Sequence, residues 1–113
     1  MSEQQEQQRI RLELSRGPVR LWRNNTGVLL DRNGRPVQFG LCKGSSDLIG
    51  FRTVTVTPEM VGQKMAVFAA LEVKGPRGRL TAEQEAFLGM VEGMGGLAGE
   101  VRSVEDGRRV LRL

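Results

Sequence analysis

The chain has 113 residues, of which 39% are hydrophobic and 27% charged, and this balance excludes a wholly disordered or fibrous protein. The 17 Lys and Arg residues outnumber the 13 Asp and Glu residues, so a polyanion such as nucleic acid is an allowed partner. There is no histidine and one cysteine, Cys42, which excludes histidine-based catalytic triads, an internal disulfide and the common zinc sites. Any catalysis must therefore use carboxylates, lysines, hydroxyls and a hard metal ion.

The first half of the chain predicts one helix followed by short strands. Residues 2–16 are good helix formers without a breaker, and Gly17 begins the Gly-Pro pair that ends the run. Residues 19–22 alternate apolar with basic side chains, which is typical of a strand. An Asn-Gly turn signal at the centre of residues 28–39 predicts a small hairpin. Residues 47–56 are rich in β-branched side chains and predict a longer strand.

The second half predicts a buried strand, a capped helix and a strand-rich C-terminus. Residues 65–73 are almost continuously apolar, which indicates a central strand buried on both faces. Thr81 with Gln84 three residues later is the pattern of a capping box, so a second helix begins there. Residues 99–104 and 109–113 alternate, and we expect one or two further strands from them. This order of elements favours an α/β (α+β) fold, in which a mixed sheet is flanked by helices.

The sequence also predicts where the protein is located in the cell. No apolar run approaches the roughly 20 residues that cross a bilayer, and the N-terminus is polar where a signal peptide is apolar. With one unpaired cysteine, the chain suits a reducing compartment. We therefore expect a single domain over residues 1–113 in the cytoplasm, with no membrane association.

A carboxylate and an ammonium group leave the predicted central strand together. Side chains alternate along a strand, so Glu72 and Lys74 share one face while Val73 points to the other. Charges at the end of a buried strand must either neutralise each other or serve a site, because unpaired buried charge is costly. Asp47 opens the preceding strand, and its carboxylate would lie beside that of Glu72 if the two strands pair.

Phosphodiester hydrolysis is the reaction that such a group of side chains would serve. Two carboxylates bind a hard divalent ion, Mg²⁺ or Mn²⁺, which prefers oxygen ligands and keeps some of its own waters. One of these waters is the candidate nucleophile, and Lys74 would orient it or stabilise charge on the phosphoryl oxygens.

Each of these residues also has a structural interpretation. Glu72 and Lys74 fit a surface strand pair, and Asp47 fits a turn aspartate after Gly-Ser-Ser. Gln84 is accounted for by the capping box with Thr81. The residues alone leave these alternatives open.

Five segments together carry a family resemblance. GSSDLIG at 44–50 and AALEVKG at 69–75 contain the acidic residues and the lysine. GRLTAEQEAFL at 78–88, GGLAGEVRS at 95–103 and RNNTG at 23–27 follow the same family pattern. In order and spacing they closely resemble the VRR-NUC domain, a branch of the PD-(D/E)XK nucleases that occurs alone in phages and bacteria and fused to larger repair nucleases elsewhere. The resemblance implies a restriction-endonuclease-like fold in one small domain.

The same resemblance assigns roles to the candidate residues. It makes Asp47 the metal-binding aspartate, Glu72 the second acidic ligand and Lys74 the catalytic lysine. The backbone carbonyl of Val73 would complete the metal shell, and Gln84 would face the site from the helix after the motif.

The first helix is expected to add one more acidic residue. The family tends to carry a glutamate there, and three glutamates compete for the role: Glu3, Glu6 and Glu13. Helical spacing does not choose among them, and we favour Glu6. The residue before Asp47 is Ser46 where the superfamily name has proline, a departure that changes no chemical group of the predicted site.

Basic and polar side chains near the motifs are candidates for holding nucleic acid. They are Arg23, Asn24, Asn25, Lys43, Arg77 and Arg79. A solvated surface position explains each of them equally well. Trp22 is interpreted as a core residue and not as a stacking platform, because aromatic side chains make up only 4% of the chain.

The expected function is a Mg²⁺- or Mn²⁺-dependent, structure-selective DNA endonuclease, since a chain this short has little surface for reading bases. Stand-alone members resemble Holliday-junction resolvases, and a C2 homodimer would present two active sites to a branched junction in repair or recombination. The alternatives are a flap or single-strand-end nuclease and, outside enzymes, a basic DNA-binding accessory protein. The expected location is the cytoplasm of a bacterial or phage-infected cell.

Overall fold

The computed structural model of the chain describes residues 2–113. The chain divides after Arg52 into an N-terminal unit and a C-terminal unit that begins at Thr53. Over the described residues the order of elements is helix, four strands, a 3-10 turn, strand, helix, strand and helix. This mixture confirms the predicted α+β class. The strands form three separate two-stranded ladders, of which two are antiparallel and one is parallel.

The N-terminal unit contains one helix and four strands. Their bounds are α1 Glu3–Leu14, β1 Val19–Arg23, β2 Gly27–Leu30, β3 Pro36–Phe39 and β4 Leu48–Arg52. The predicted first helix and the strand after it are confirmed. Helix α1 begins where the Ser2 hydroxyl accepts the backbone N–H of Gln5 at 3.1 Å, and the Gln5 side chain returns a bond to the Ser2 N–H at 2.9 Å.

Strands β1 and β4 form an antiparallel ladder in which Arg23 pairs with Leu48 and Trp22 with Ile49. The Trp22 and Phe51 rings lie 5.9 Å apart in a tilted arrangement, and Trp22, which was predicted to be a core residue, is half-buried. Gly50 sits where the strands come closest, since an added Cβ would lie 1.8 Å from the Arg20 carbonyl oxygen. The ladder ends at Arg52, four residues before the predicted end of the strand.

Strands β2 and β3 form the predicted antiparallel hairpin, with Leu29 opposite Val37. The turn is held by Asp31, whose side chain accepts the backbone N–H groups of Asn33 and Arg35, each at 2.8 Å. Gly34 takes the left-handed conformation at φ 77°, which a residue with a Cβ adopts only at a cost.

The C-terminal unit is a parallel strand pair joined by a helix and followed by a second helix. The bounds are a 3-10 turn at Pro58–Met60, then β5 Ala69–Val73, α2 Ala82–Gly93, β6 Leu97–Val101 and α3 Val104–Leu111. Strand β5 pairs with β6, so the three elements β5, α2 and β6 make one crossover unit. Its core is centred on Val91 of α2 and Val101 of β6, which are 1% and 5% exposed.

The prediction of a central strand over residues 65–73 is wrong in length and in burial. Strand β5 starts only at Ala69, and its side chains alternate between exposed and half-buried. Helix α2 contacts β5, but Leu71 and Val73 on the other face stay 39% and 72% exposed. A continuous apolar run does not specify how many neighbours cover a strand, and here β6 pairs with it along one edge.

Of the two predicted C-terminal strands, the first overlaps β6, whereas the second, over residues 109–113, is wrong because residues 104–111 form helix α3. Ser103 caps this helix by accepting the Asp106 backbone N–H at 3.0 Å. Acidic residues occupy its first turn and basic residues its last turn, which favours a helix through the macrodipole. These helical signals outweigh the alternation seen in the last five residues.

Asp106 ties the start of α3 to the end of β6. Its carboxylate accepts the Arg102 backbone N–H at 2.9 Å and the Arg109 guanidinium at 3.0 Å. The first bond, followed by the second, lowers the pKa of Asp106 below its usual range. Because the folded-state pKa is lowered, the stabilisation is present above the unfolded pKa of about 4 and is lost as pH falls through the folded value.

We therefore expect Asp106→Asn to lower the melting temperature at pH 7 and to have progressively less effect below about pH 4. Thermal unfolding followed by circular dichroism at a series of pH values measures this difference. A gap between the two proteins that stays constant down to pH 2.5 would contradict the assignment.

Candidate active site

The end of β5 brings Glu72 and Lys74 to one face, as the sequence predicts. Ala70, Glu72 and Lys74 are half-buried, whereas Leu71 and Val73 between them are exposed. The Lys74 backbone N–H donates to the Val101 carbonyl at 3.1 Å and extends the ladder one step beyond β5. The Lys74 backbone is therefore fixed directly after the strand that carries Glu72.

Glu72 lines a cleft of about 330 Å³ between β5 and α2. The polar residues of its lining are Glu72, Glu83 and Gln84, and the rest is apolar: Ala70, Leu71, Phe87 and Leu88. The predicted approach of Gln84 to Glu72 therefore has support in the C-terminal unit. Glu83 was not predicted as a site residue, although it precedes Gln84 in the first turn of α2 and could have been found by that position.

Gln84 has a structural role as well. Its side-chain oxygen accepts the Thr81 backbone N–H at 3.0 Å, and the Thr81 hydroxyl accepts the Gln84 backbone N–H at 3.1 Å. The capping box is therefore confirmed, and it holds a side chain that lines the cleft. A catalytic role for Gln84 stays a prediction.

A tight turn follows Lys74. The Gly78 N–H donates to the Gly75 carbonyl at 3.1 Å, so residues 75–78 form a turn. Arg77 within the turn and Arg79 after it are exposed. Both are accessible to a phosphate group, and their contact with nucleic acid stays a prediction.

The ion pairs of residues 2–113 lie outside the predicted catalytic group. They join Arg9 to Glu13, Arg102 to Glu100, and Arg109 to Asp106. In this part of the chain Glu72 and Lys74 are therefore not neutralised by each other or by a third residue.

Asp47 lies in the N-terminal unit, at the exposed end of a loop that leads into β4. Asn24 holds this loop through its backbone and its side chain. The Asn24 backbone N–H donates to the Asp47 carbonyl at 2.8 Å. Its side-chain amide donates to the Ser45 hydroxyl at 2.6 Å and the Ser46 carbonyl at 2.9 Å, and accepts the Leu41 N–H at 3.0 Å. Asn24, which we predicted as a nucleic-acid contact, thus has an observed role in placing Asp47.

The other basic and polar candidates of this unit lie at its surface. The Arg23 guanidinium donates to the Asn25 side chain at 3.2 Å, and Lys43 is exposed in the turn before Ser45. Arg23 also lines a polar cleft of about 470 Å³. The other lining residues come from the start of α1 and are Ser2, Gln4, Gln5 and Gln8. Nucleic-acid binding by Arg23, Asn25 and Lys43 stays a prediction.

The glutamates of α1 differ in their surroundings. Glu13 accepts a bond from Arg9 at 3.4 Å, and Glu3 and Glu6 lie in the first turn of the helix. Glu6 is exposed. Its proposed contribution to a metal site stays a prediction.

The predicted metal ligands Asp47 and Glu72 lie in different units of the chain. Strand β4 after Asp47 pairs with β1, and β5 with Glu72 pairs with β6, so the direct strand pairing that would align the two carboxylates is not among the observed ladders. Residues 2–113 contain no cluster of three or more His, Cys, Asp or Glu side chains placed to hold a metal ion. Carboxylate oxygens fit a hard cation chemically, and the meeting of Asp47 with Glu72 stays a prediction.

Comparison with known proteins identifies the family. None of the helices formed by residues 2–113 has the length and apolar character needed to cross a membrane. No curated protein and no solved structure gives a significant match to the chain. The family model of the VRR-NUC domain matches residues 1–105, which includes every candidate residue described above. The chain therefore belongs to the VRR-NUC family of nucleases.

Proposed function

We propose that the chain is a metal-dependent, structure-selective DNA endonuclease that acts as a homodimer on branched DNA. Family membership supplies the nuclease activity. The observation that carries the active-site assignment is the half-buried face at the end of β5, where Glu72 enters a cleft beside Gln84 and Lys74 follows two residues later.

Each residue of the predicted site has a distinct task. The carboxylates of Asp47 and Glu72, with the Val73 carbonyl, would hold Mg²⁺ or Mn²⁺. Such an ion, when bound, supplies positive charge at the scissile phosphate and activates water. The Lys74 ammonium would stabilise negative charge on the phosphoryl oxygens. Gln84, whose side-chain oxygen is engaged in the cap, lines the same cleft as Glu72.

The preference for branched DNA rests on how few groups are available to read bases. The exposed candidates for nucleic-acid contact are mainly cationic, and cations bind phosphates without regard to sequence. The net charge of +4 supports approach to DNA in the same way. Selectivity would then come from the geometry of the branch.

The β2–β3 hairpin supports the homodimer. In the antiparallel register, Leu29, Val37 and Phe39 share one face, and they are 67%, 49% and 41% exposed. Both outer edges of this two-stranded ladder have no strand partner among residues 2–113. Such an exposed apolar face would be covered if two identical subunits met there in a self-complementary C2 interface.

We expect Leu29→Glu to convert the dimer into monomers, because it places a charge in the centre of that face. Sedimentation velocity at micromolar concentrations gives the molecular mass. Arg32→Glu in the hairpin turn is the matched control, since it alters charge without touching the apolar face, and it should remain dimeric. A monomeric unmodified chain, or a Leu29→Glu variant that stays dimeric, would contradict this interface.

The function is tested by incubating the protein with labelled four-way junction, flap, duplex and single-stranded DNA in Mg²⁺, Mn²⁺ or EDTA. Cleavage of the junction that EDTA abolishes is the expected result. Preferential cutting of the flap or of single-strand ends would favour the alternative nuclease. DNA binding that is insensitive to EDTA, with no product from any substrate, would favour the DNA-binding accessory protein.

The proposed location is the cytoplasm of a bacterial or phage-infected cell. Cys42 is a free, exposed thiol, and such a side chain is compatible with a reducing compartment.

A further inference from the structure

The β5–β6 ladder carries four charges at one end, two more than the predicted catalytic group uses. Glu72 pairs in parallel register with Glu100, and paired residues of parallel strands point to the same face. Two residues further along, Lys74 and Arg102 follow the two glutamates. Like charges side by side repel, and Arg102 compensates one of them through its ion pair with Glu100.

Arg102 also holds both ends of the turn that follows Lys74. Its guanidinium donates through Nη1 to the Gly75 carbonyl and through Nη2 to the Gly78 carbonyl, the latter at 2.7 Å. The Arg102 backbone is itself fixed, because its N–H donates to Asp106 at 2.9 Å. The Arg102 side chain therefore links the end of β6, where it pairs with Glu100, to both ends of the turn formed by residues 75–78.

The turn formed by residues 75–78 packs against the Lys74 side chain. A Cβ added at Gly78 would lie 3.3 Å from the Lys74 Cβ and 3.2 Å from its Cδ, so the stem of the lysine rests directly over this glycine. Moving Gly78 moves the surface on which Lys74 packs. The position of the ammonium group thus depends on a turn that Arg102 ties down.

We propose that Arg102 is a positioning residue of the nuclease site, which acts through the Gly75–Gly78 turn to fix Lys74 and the end of β5. The inference rests on the proposed function. The guanidinium is suited to this task because its planar fork reaches two carbonyls and a carboxylate at once. An ammonium group at the same place keeps the charge and loses the fork.

Arg102→Lys is the variant that separates charge from geometry. We expect kcat on the preferred DNA to fall on the order of 10- to 100-fold, with KM within about twofold, because misplacement of a reacting group affects the chemical step. Hydrogen exchange, measured without added metal, should become faster at the backbone amides of Gly75 and of residues 77–79. Arg108→Gln is the control: it removes a positive charge from an exposed site on α3 and should leave both readouts unchanged.

The outcomes distinguish the two proposals. An unmodified chain that cuts no DNA removes the proposed function and this inference with it. If the unmodified chain cuts and Arg102→Lys cuts equally well, the inference alone is overturned. Loss of the circular dichroism signal in Arg102→Lys would also overturn it, because Arg102 would then support the whole unit. Slower cutting with unchanged exchange at residues 75–79 would exclude the turn as the route.

Discussion

The Lys74→Ala variant is expected to fold normally and to lose DNA cleavage by on the order of 10²- to 10³-fold, the usual cost of removing a group that stabilises developing negative charge. Lys74 is half-buried at the end of β5, and its removal leaves no cavity in the core around Val91 and Val101. Cleavage of the preferred DNA under single-turnover conditions measures the loss, and circular dichroism reports the fold.

Lys64→Ala is the matched control for that variant. Lys64 is an exposed lysine of the same unit, before β5, and its loss removes the same charge from a position outside the predicted site. It should cut at the rate of the unmodified chain. A Lys74→Ala protein that is unfolded would make the lysine structural, and one that cuts at the normal rate would remove it from the active site.

The second large effect is expected for Asp47→Asn, which should weaken Mn²⁺ binding at least tenfold, or by about 1.4 kcal/mol. The change removes the negative charge that a hard cation needs and keeps the size of the side chain. The loop should be unaffected, because Asn24 holds it through the backbone carbonyl of residue 47 and through Ser45 and Ser46.

Isothermal titration with Mn²⁺ measures this affinity. Asp31→Asn is the control within the same unit, because it neutralises an aspartate whose side-chain oxygen holds the hairpin turn, a bond that asparagine can also accept. We expect the control to bind Mn²⁺ as the unmodified chain does. Equal affinity in the Asp47→Asn variant would remove Asp47 from the ligand set.

Local signals in the sequence predicted helices α1 and α2 and the hairpin. Ser2 with Gln5 and Thr81 with Gln84 start α1 and α2 through short-range bonds, and Asp31 organises the turn of the hairpin. These contacts join residues two to four positions apart, so a reading of neighbouring residues can find them. The shared face of Glu72 and Lys74 is equally local, because it follows from the period of a strand.

Long-range partners could not be predicted in the same way. The apolar run before Val73 indicated burial on both faces, but only the folded structure shows that, among residues 2–113, β6 is the one strand that pairs with β5. The bonds from Asn24 to the Asp47 loop and from Arg102 to the turn after Lys74 join residues more than 20 positions apart. Family resemblance named the reacting groups, whereas the residues that place them appear only in the fold.

The α3 helix shows how a short pattern misleads. The alternation from Arg109 onward covers five residues, too few to outweigh the Ser103 cap and the charges of the helix ends. The cap, the acidic first turn and the basic last turn are all local features of the sequence, and together they favour a helix more strongly than the alternation favours a strand.

The central claim is that Asp47 and Glu72 bind one divalent ion, and cleavage of the protein backbone by radicals generated at that ion tests it most directly. Fe²⁺ replaces Mg²⁺, and ascorbate with peroxide produces hydroxyl radicals that cut only the nearby chain. The account predicts cuts near residue 47 and near residues 72–73, both suppressed by excess Mg²⁺ and absent from Asp47→Asn and Glu72→Gln. Cuts at one of the two segments alone would contradict a shared ion.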